Sequence, residues 1–113
     1  HSPGRQSEVK DLLRRLESKI KKARRTEAIN IVVKIMELHA KVEEKLLIDL
    51  LEMVAMKPGA VPFAQVLKLC MLAGLEISIS DFVKVLGCLM HRGAPVAQIR
   101  AVLNMTVRRG ELV

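Results

Sequence analysis

An all-α fold is what this sequence predicts: five or six helices arranged as antiparallel hairpins, in a short α-solenoid or an orthogonal helical bundle. Three observations carry that expectation. Apolar residues recur at spacings of three and four along most of the chain, the period of a helix with one buried face. The apolar half of the composition is Leu, Val, Ile, Met and Ala, with no Trp or Tyr and only Phe63 and Phe82. Such an aliphatic, aromatic-poor set favours helix on helix over a β-sandwich. Finally, Gly59-Ala60-Val61-Pro62-Phe63-Ala64-Gln65-Val66 is echoed by Gly93-Ala94-Pro95-Val96-Ala97-Gln98-Ile99. Pro62 and Pro95 are 33 residues apart, a period of stacked helical hairpins.

Residues 1–6 read as a linker or an expression scar outside the fold. A basic amphipathic helix is expected over 7–25, and a helical-hairpin bundle over 26–113. Ser7 suits the cap of the first helix, and Glu8 and Asp11 its first turn, where the helix dipole favours anions. Val9, Leu13, Leu16, Ile20 and Ala23 form a narrow apolar seam on an otherwise charged surface. The second helix spans 27–40, with Thr26 as cap and His39 on its face. Its polar residues Glu27, Asn30, Lys34, Glu37 and Lys41 make one stripe, so most of its circumference should be buried. The seam of the first helix projects onto this stripe. Either the chain breaks near Thr26, or the first helix packs outside the domain.

A third helix covers 42–57 and is ended by Lys57-Pro58-Gly59; its polar residues continue the stripe of the second in phase, so the two form either one helix of about 30 residues or, the preferred reading, two helices with a break near Ala40–Val42. The fourth, 61–73, has only Gln65 and Lys68 as polar residues and is expected to be central. Ala73-Gly74 reads as its C-terminal cap. Ser78-x-x-Asp81 resembles a capping box opening a fifth helix over 79–91, which Arg92-Gly93 ends. Pro95 opens a sixth, 95–109, ended by Arg109-Gly110. Leu46, Leu50, Val54, Val66, Cys70, Phe82, Leu86, Leu89, Ile99 and Leu103 are the expected core.

Residues 61–95 resemble a degenerate pentatricopeptide-type hairpin, a relative of the tetratricopeptide class. Phe63 stands where that family has an aromatic residue, Ala73-Gly74 matches its interhelix turn, and Met90-His91-Arg92-Gly93 before Pro95 is similar to its ending. The resemblance implies a stacked-hairpin fold. In that family, single-stranded RNA is read by polar residues early in the first helix and in the closing loop. Here those places hold Ala64 and Gln65, Ala97 and Gln98, and the loop residues Gly93 and Ala94.

Charge is unevenly distributed. Residues 1–25 hold nine Lys and Arg against three acids, whereas residues 26–113 hold ten against nine. Arg14, Arg15, Lys19, Lys21, Lys22, Arg24 and Arg25 are candidate contacts for phosphates or an acidic protein. The cluster Lys21-Lys22-Ala23-Arg24 also fits a nuclear import signal. Cys70 and Cys88 lie in apolar helical surroundings and read as reduced thiols rather than a disulfide framework. An intracellular protein, of nucleus or cytoplasm, is the expectation.

Enzymatic chemistry finds no motif: there is no phosphate loop, nucleophile elbow or His-Glu-x-x-His run, and adjacent Glu43 and Glu44 point about 100° apart on a helix. Cys88-x-x-His91 is one ligand pair without a second, so neither a metal nor another cofactor is expected. No apolar run approaches membrane-spanning length. The expected function is a non-enzymatic protein–protein interaction or scaffold module, a fragment of a larger protein, that docks a partner helix in a groove or a second copy of itself. The sixth helix, with Val102 and Met105, is the leading face, and the Leu13, Leu16, Ile20 seam the second. The six methionines offer an adaptable groove lining, with core filling as the alternative. The runner-up is an RNA- or DNA-binding module using the basic arm.

Overall fold

The computed structural model describes residues 3–56 and 62–108. The stops expected at Lys57-Pro58-Gly59 and Arg109-Gly110, and the side chain of Met105, lie outside the described residues. Within them the chain forms six α-helices and no strand: α1 (Pro3–Lys21), α2 (Arg25–Glu37), α3 (Glu44–Met56), α4 (Phe63–Leu72), α5 (Ile79–His91) and α6 (Val96–Arg108). The fold is an all-α helical bundle.

Most boundaries differ from the sequence reading by one to four residues, α1 ending at Lys21 rather than at 25, and three differences change a residue's role. α1 begins at Pro3, so Pro3–Gln6 belong to a helix rather than a linker, and Ser7 is interior rather than a cap. The cap position of α2 is Arg24, not Thr26. α2 stops at Glu37, which leaves His39 in the connection rather than on a helix face. The expected break before the third helix is present there.

Four helices stop in the same way. After α1, α2, α4 and α5 the chain reverses through one residue with positive φ: Ala23 (55°), His39 (56°), Gly74 (102°) and Gly93 (75°). Each reversal is closed by two amide donors. Arg24 N donates to Lys19 O at 2.8 Å, Ala40 N to Ile35 O at 3.2 Å, Leu75 N to Cys70 O at 3.0 Å and Ala94 N to Leu89 O at 3.0 Å. The inner bonds run from Ala23, His39, Gly74 and Gly93 to Ile20, Met36, Met71 and Met90. This is the Schellman arrangement, which satisfies carbonyls that a helix end leaves without partners.

The starts are equally local. Ser78 Oγ accepts the Asp81 amide at 3.1 Å, as its spacing predicts. Pro62 and Pro95 occupy equivalent places, each carbonyl accepting amides three and four residues ahead. The repeated motif therefore marks two helix starts of the same construction.

Every extensive contact joins helices one or two places apart in the chain. α1, α2 and α3 pack mutually; α4 and α5 each lean on α3, and α6 closes across both. α3 is the hub, with Leu46, Leu47, Leu50, Leu51, Val54 and Ala55 buried. This corrects the expectation that the fourth helix is central. α4 buries Phe63, Val66, Leu67 and Cys70 on one face and leaves Leu72 in water. The second helix is likewise buried on one face only, with Val33 exposed. Between α4 and α5 the connection is extended, and its alternate residues Leu75 and Ile77 are pegged into the core. That holds α4 and α5 apart, each against its own flank of α3.

Candidate interaction surfaces

The basic run at the α1–α2 corner does not form one patch. Lys19 and Arg24 both reach Glu27, at 2.9 and 3.8 Å, and Lys21 turns to Glu17 at 3.4 Å. The Lys19 hydrogen bond, then the charges of Lys19, Arg24 and Lys22, hold the Glu27 carboxyl below its usual value. Arg25 turns inward. Its guanidinium donates to the carbonyl of Val54 at 3.1 Å, in the last turn of α3, where carbonyls lack intrahelical donors. Burial first, and the nearby Arg92 charge second, lower its pKa from the ordinary value. Arg25 is thus a brace between α2 and α3 rather than a surface contact. Arg14 and Lys22 are exposed and in no ion pair among the described residues.

What the fold does assemble from this region is a shallow groove of about 330 Å³ between α1 and α2. Arg15 and Lys19 line one side, and Glu27, Asn30 and Lys34 the other, above Leu12 and Ile31, with Lys19 held by the Glu27 carboxylate. Asn30 and Lys34 carry no sequence signal for this role, because only the α1–α2 packing sets them opposite Arg15.

The second seam also divides. Leu16 is 0% exposed and sits in the core with Leu12, so it is not available to a partner. Leu13 lines a cleft of about 680 Å³ with Val42, Leu47 and Leu75 in its walls and Lys41, Glu43, Glu44 and Glu76 around them. Val42, Leu47 and Leu75 are almost wholly buried, so little apolar surface faces this cleft. Ile20 shares a smaller pocket with the Lys21–Glu17 and Lys45–Asp49 ion pairs.

On the sixth helix Ile99 packs against the core as expected, but the assignment of the next turn is exchanged. Val102, a candidate docking residue, is 0% exposed and belongs to the core, whereas Leu103, an expected core residue, is exposed. Met36, Met53 and Met71 are half-buried against the core, while Met56 and Met90 face outward.

Among the described residues, three of the eight exposed large apolar side chains lie on α5. Ile79, Val83 and Met90 are 61%, 60% and 65% exposed, and half-buried Leu86 completes a seam with spacing four, three, four. These four fall within about 60° of arc on a helix of 3.6 residues per turn. Phe82, Val85 and Leu89, on the neighbouring arc, are buried. α5 is apolar over more of its circumference than its contacts with α3 and α6 cover. Val96 and Leu103 add exposed apolar surface on α6.

Cys70 is fully buried in α4, Cys88 half-buried in α5, and neither is in a disulfide. Burial pushes the Cys70 thiol up to about 12 from its ordinary 9.0. The folded state thus keeps a proton that the unfolded chain loses above pH 9. Stability from this group is complete below pH 9 and should fall by about 1.4 kcal/mol per pH unit between there and pH 12. Urea midpoints against pH should show that decline, and Cys70→Ala should flatten it.

No described helix is long and apolar enough to cross a membrane. Among the described residues, no three His, Cys, Asp or Glu side chains are grouped to hold a metal ion. Comparison with protein-family models, curated proteins and solved structures finds no match to this chain.

Proposed function

We propose that the chain is a non-enzymatic helical interaction module, of the stacked-hairpin kind, and that it works by docking an amphipathic helix along α5. The observation that carries this reading is the uncovered seam Ile79, Val83, Leu86, Met90. Covering each of its three outer side chains is worth about 1–2 kcal/mol at their exposure. The spacing is that of a helix-on-helix contact, in which anchors recur every three or four residues. On the sixth helix Val96 and Leu103 are the exposed apolar side chains, in place of buried Val102.

A titration at about 20 µM protein tests this. The probe is a designed helix with Leu along one face and uncharged Gln elsewhere, followed by backbone amide shifts. Shifts should cluster between Ile79 and Met90. Val83→Glu and Met90→Glu should remove them while leaving the folded signal intact, since both side chains are exposed and substitutions there change stability little. Shifts centred on the Leu13 cleft, or none at all, would refute the seam.

The groove between α1 and α2 favours a second reading, in which phosphates of RNA or DNA bind Arg15 and Lys34 on either side of the Lys19–Glu27 pair. Two neutralised phosphates give a duplex log–log salt slope of about −1.8, or roughly a 12-fold loss of affinity from 50 to 200 mM salt. Arg15→Gln with Lys34→Gln should abolish such binding. An affinity insensitive to both salt and substitution removes this reading.

A further inference from the structure

We infer that Glu27 is a built-in competitor for the groove between α1 and α2: its carboxylate holds Lys19, the cation that gives a bound nucleic acid a third phosphate contact once it is released. This rests on the second reading above, in which phosphates bind Arg15 and Lys34.

Among the described residues that line the groove, Glu27 is the only acid. It stands in the first turn of α2, and its side chain meets that of Lys19, on α1, at 2.9 Å across the gap. Both carboxylate oxygens are engaged. Lys19 Nζ holds Oε2, and Arg24, which is outside the groove lining, reaches Oε1 at 3.8 Å. A phosphate diester at this place would present the same pattern, one negative charge shared by two oxygens between two cations. Glu27 thus fills the place of a ligand with a side chain of the protein itself. The Lys19 hydrogen bond, the largest influence on it, holds the carboxyl below its usual range, so it is charged at neutral pH.

Lys19 is also the least screened of the three groove cations. Arg15 and Lys34 are exposed, whereas the Lys19 side chain is 29% exposed. Partly buried charges are screened by salt less than exposed ones. A strand nevertheless gains little by displacing Glu27. The exchange swaps one monoanion for another, and it leaves an unpaired carboxylate beside the phosphate, where like charges repel. Nucleic acid therefore takes Arg15 and Lys34 and leaves the Lys19–Glu27 pair closed. Glu27 sets the affinity of the groove as much as its cations do.

Fluorescence anisotropy with a short DNA duplex of random sequence tests the inference. Glu27→Gln should tighten binding about 15-fold at 50 mM salt and about fourfold at 200 mM, and should steepen the log–log slope from about −1.8 to about −2.7, the counterion release of one added contact. Glu27 is exposed, so the variant should unfold with the cooperativity of the parent. Glu17→Gln is the charge control. It removes the acid paired with Lys21, outside the groove, and should tighten binding less than about threefold at 50 mM salt. Lys19→Gln supplies the decisive readout. It should leave the slope at about −1.8 in the parent, where Lys19 is held, and return it from about −2.7 to about −1.8 in Glu27→Gln, where Lys19 is free. If Glu27→Gln binds no tighter than Glu17→Gln, or Lys19→Gln changes the slope equally in both backgrounds, the competitor is overturned. The groove still stands in that case so long as Arg15→Gln with Lys34→Gln abolishes binding. Folded variants none of which binds the duplex overturn the competitor and the groove together.

Discussion

Leu16→Ala should lower the stability of the whole molecule by about 3 kcal/mol, and Leu50→Ala by about 3–4 kcal/mol. Both side chains are 0% exposed and lie in one continuous core. The Leu16 result is the more telling. Residues 1–25 carry most of the chain's excess charge and look, by composition, like a detachable arm. Leu12 and Leu16 nonetheless pack into the body, and α1 contacts both α2 and α3. Removing the side chain of Leu16 opens a cavity where those three helices meet. Chemical denaturation should show a single transition at lower midpoint with an unchanged slope, because the molecule still unfolds as a unit. Deleting residues 1–24 should go further. It strips the cover from Ala28, Ile31, Val32 and Ile35 on α2 and should leave a loosely packed chain with helical signal but no sharp transition. A stable remnant of full cooperativity would show that α1 is an appendage.

The four matched helix ends yield a set of substitutions with opposite signs. Gly74→Ala should cost about 2 kcal/mol and Gly93→Ala about 1 kcal/mol. Neither added methyl group meets a neighbour within 4 Å, so the loss comes from the backbone alone. The φ of 102° at Gly74 lies beyond the narrow left-handed region open to alanine, whereas 75° at Gly93 is close to it. In the other direction, Ala23→Gly and His39→Gly should each stabilise by about 0.5–1 kcal/mol. They relieve a side chain held at φ near 55°, less the added freedom glycine brings to the unfolded chain. Thermal unfolding of the four single variants checks the set. If Ala23→Gly or His39→Gly is destabilising, the reversal at that position is not a left-handed cap.

Helix starts and stops were legible wherever one residue carried the signal. Ser78 with Asp81, Gly74, Gly93 and the two prolines act through their own backbone geometry and need no distant partner. The ends at Ala23 and His39 were not legible as reversals, since neither residue prefers a positive φ. There, packing of α1 on α2, and of both on α3, imposes the conformation against local preference. Of the candidate surfaces, the sequence showed that Leu13, Leu16, Ile20 and Val102 were apolar and helical. It could not show that Leu16 and Val102 face inward while Leu13 lines a cleft. Arg25 looked like one more member of a basic run, and its bond to the Val54 carbonyl depends on a residue 29 positions away.

By itself, then, the sequence determined that this chain is helical, with five or six helices, and roughly where they start and stop. Those features follow from side-chain period and from caps that span a few residues. Only the tertiary structure decided that α3 is the hub, that the charged first helix is part of the core, and that α5 keeps an apolar seam in water. A helix that is apolar over most of its surface has more than one face fit for burial. Which face is covered is settled by the helices that reach it, and these lie far along the chain.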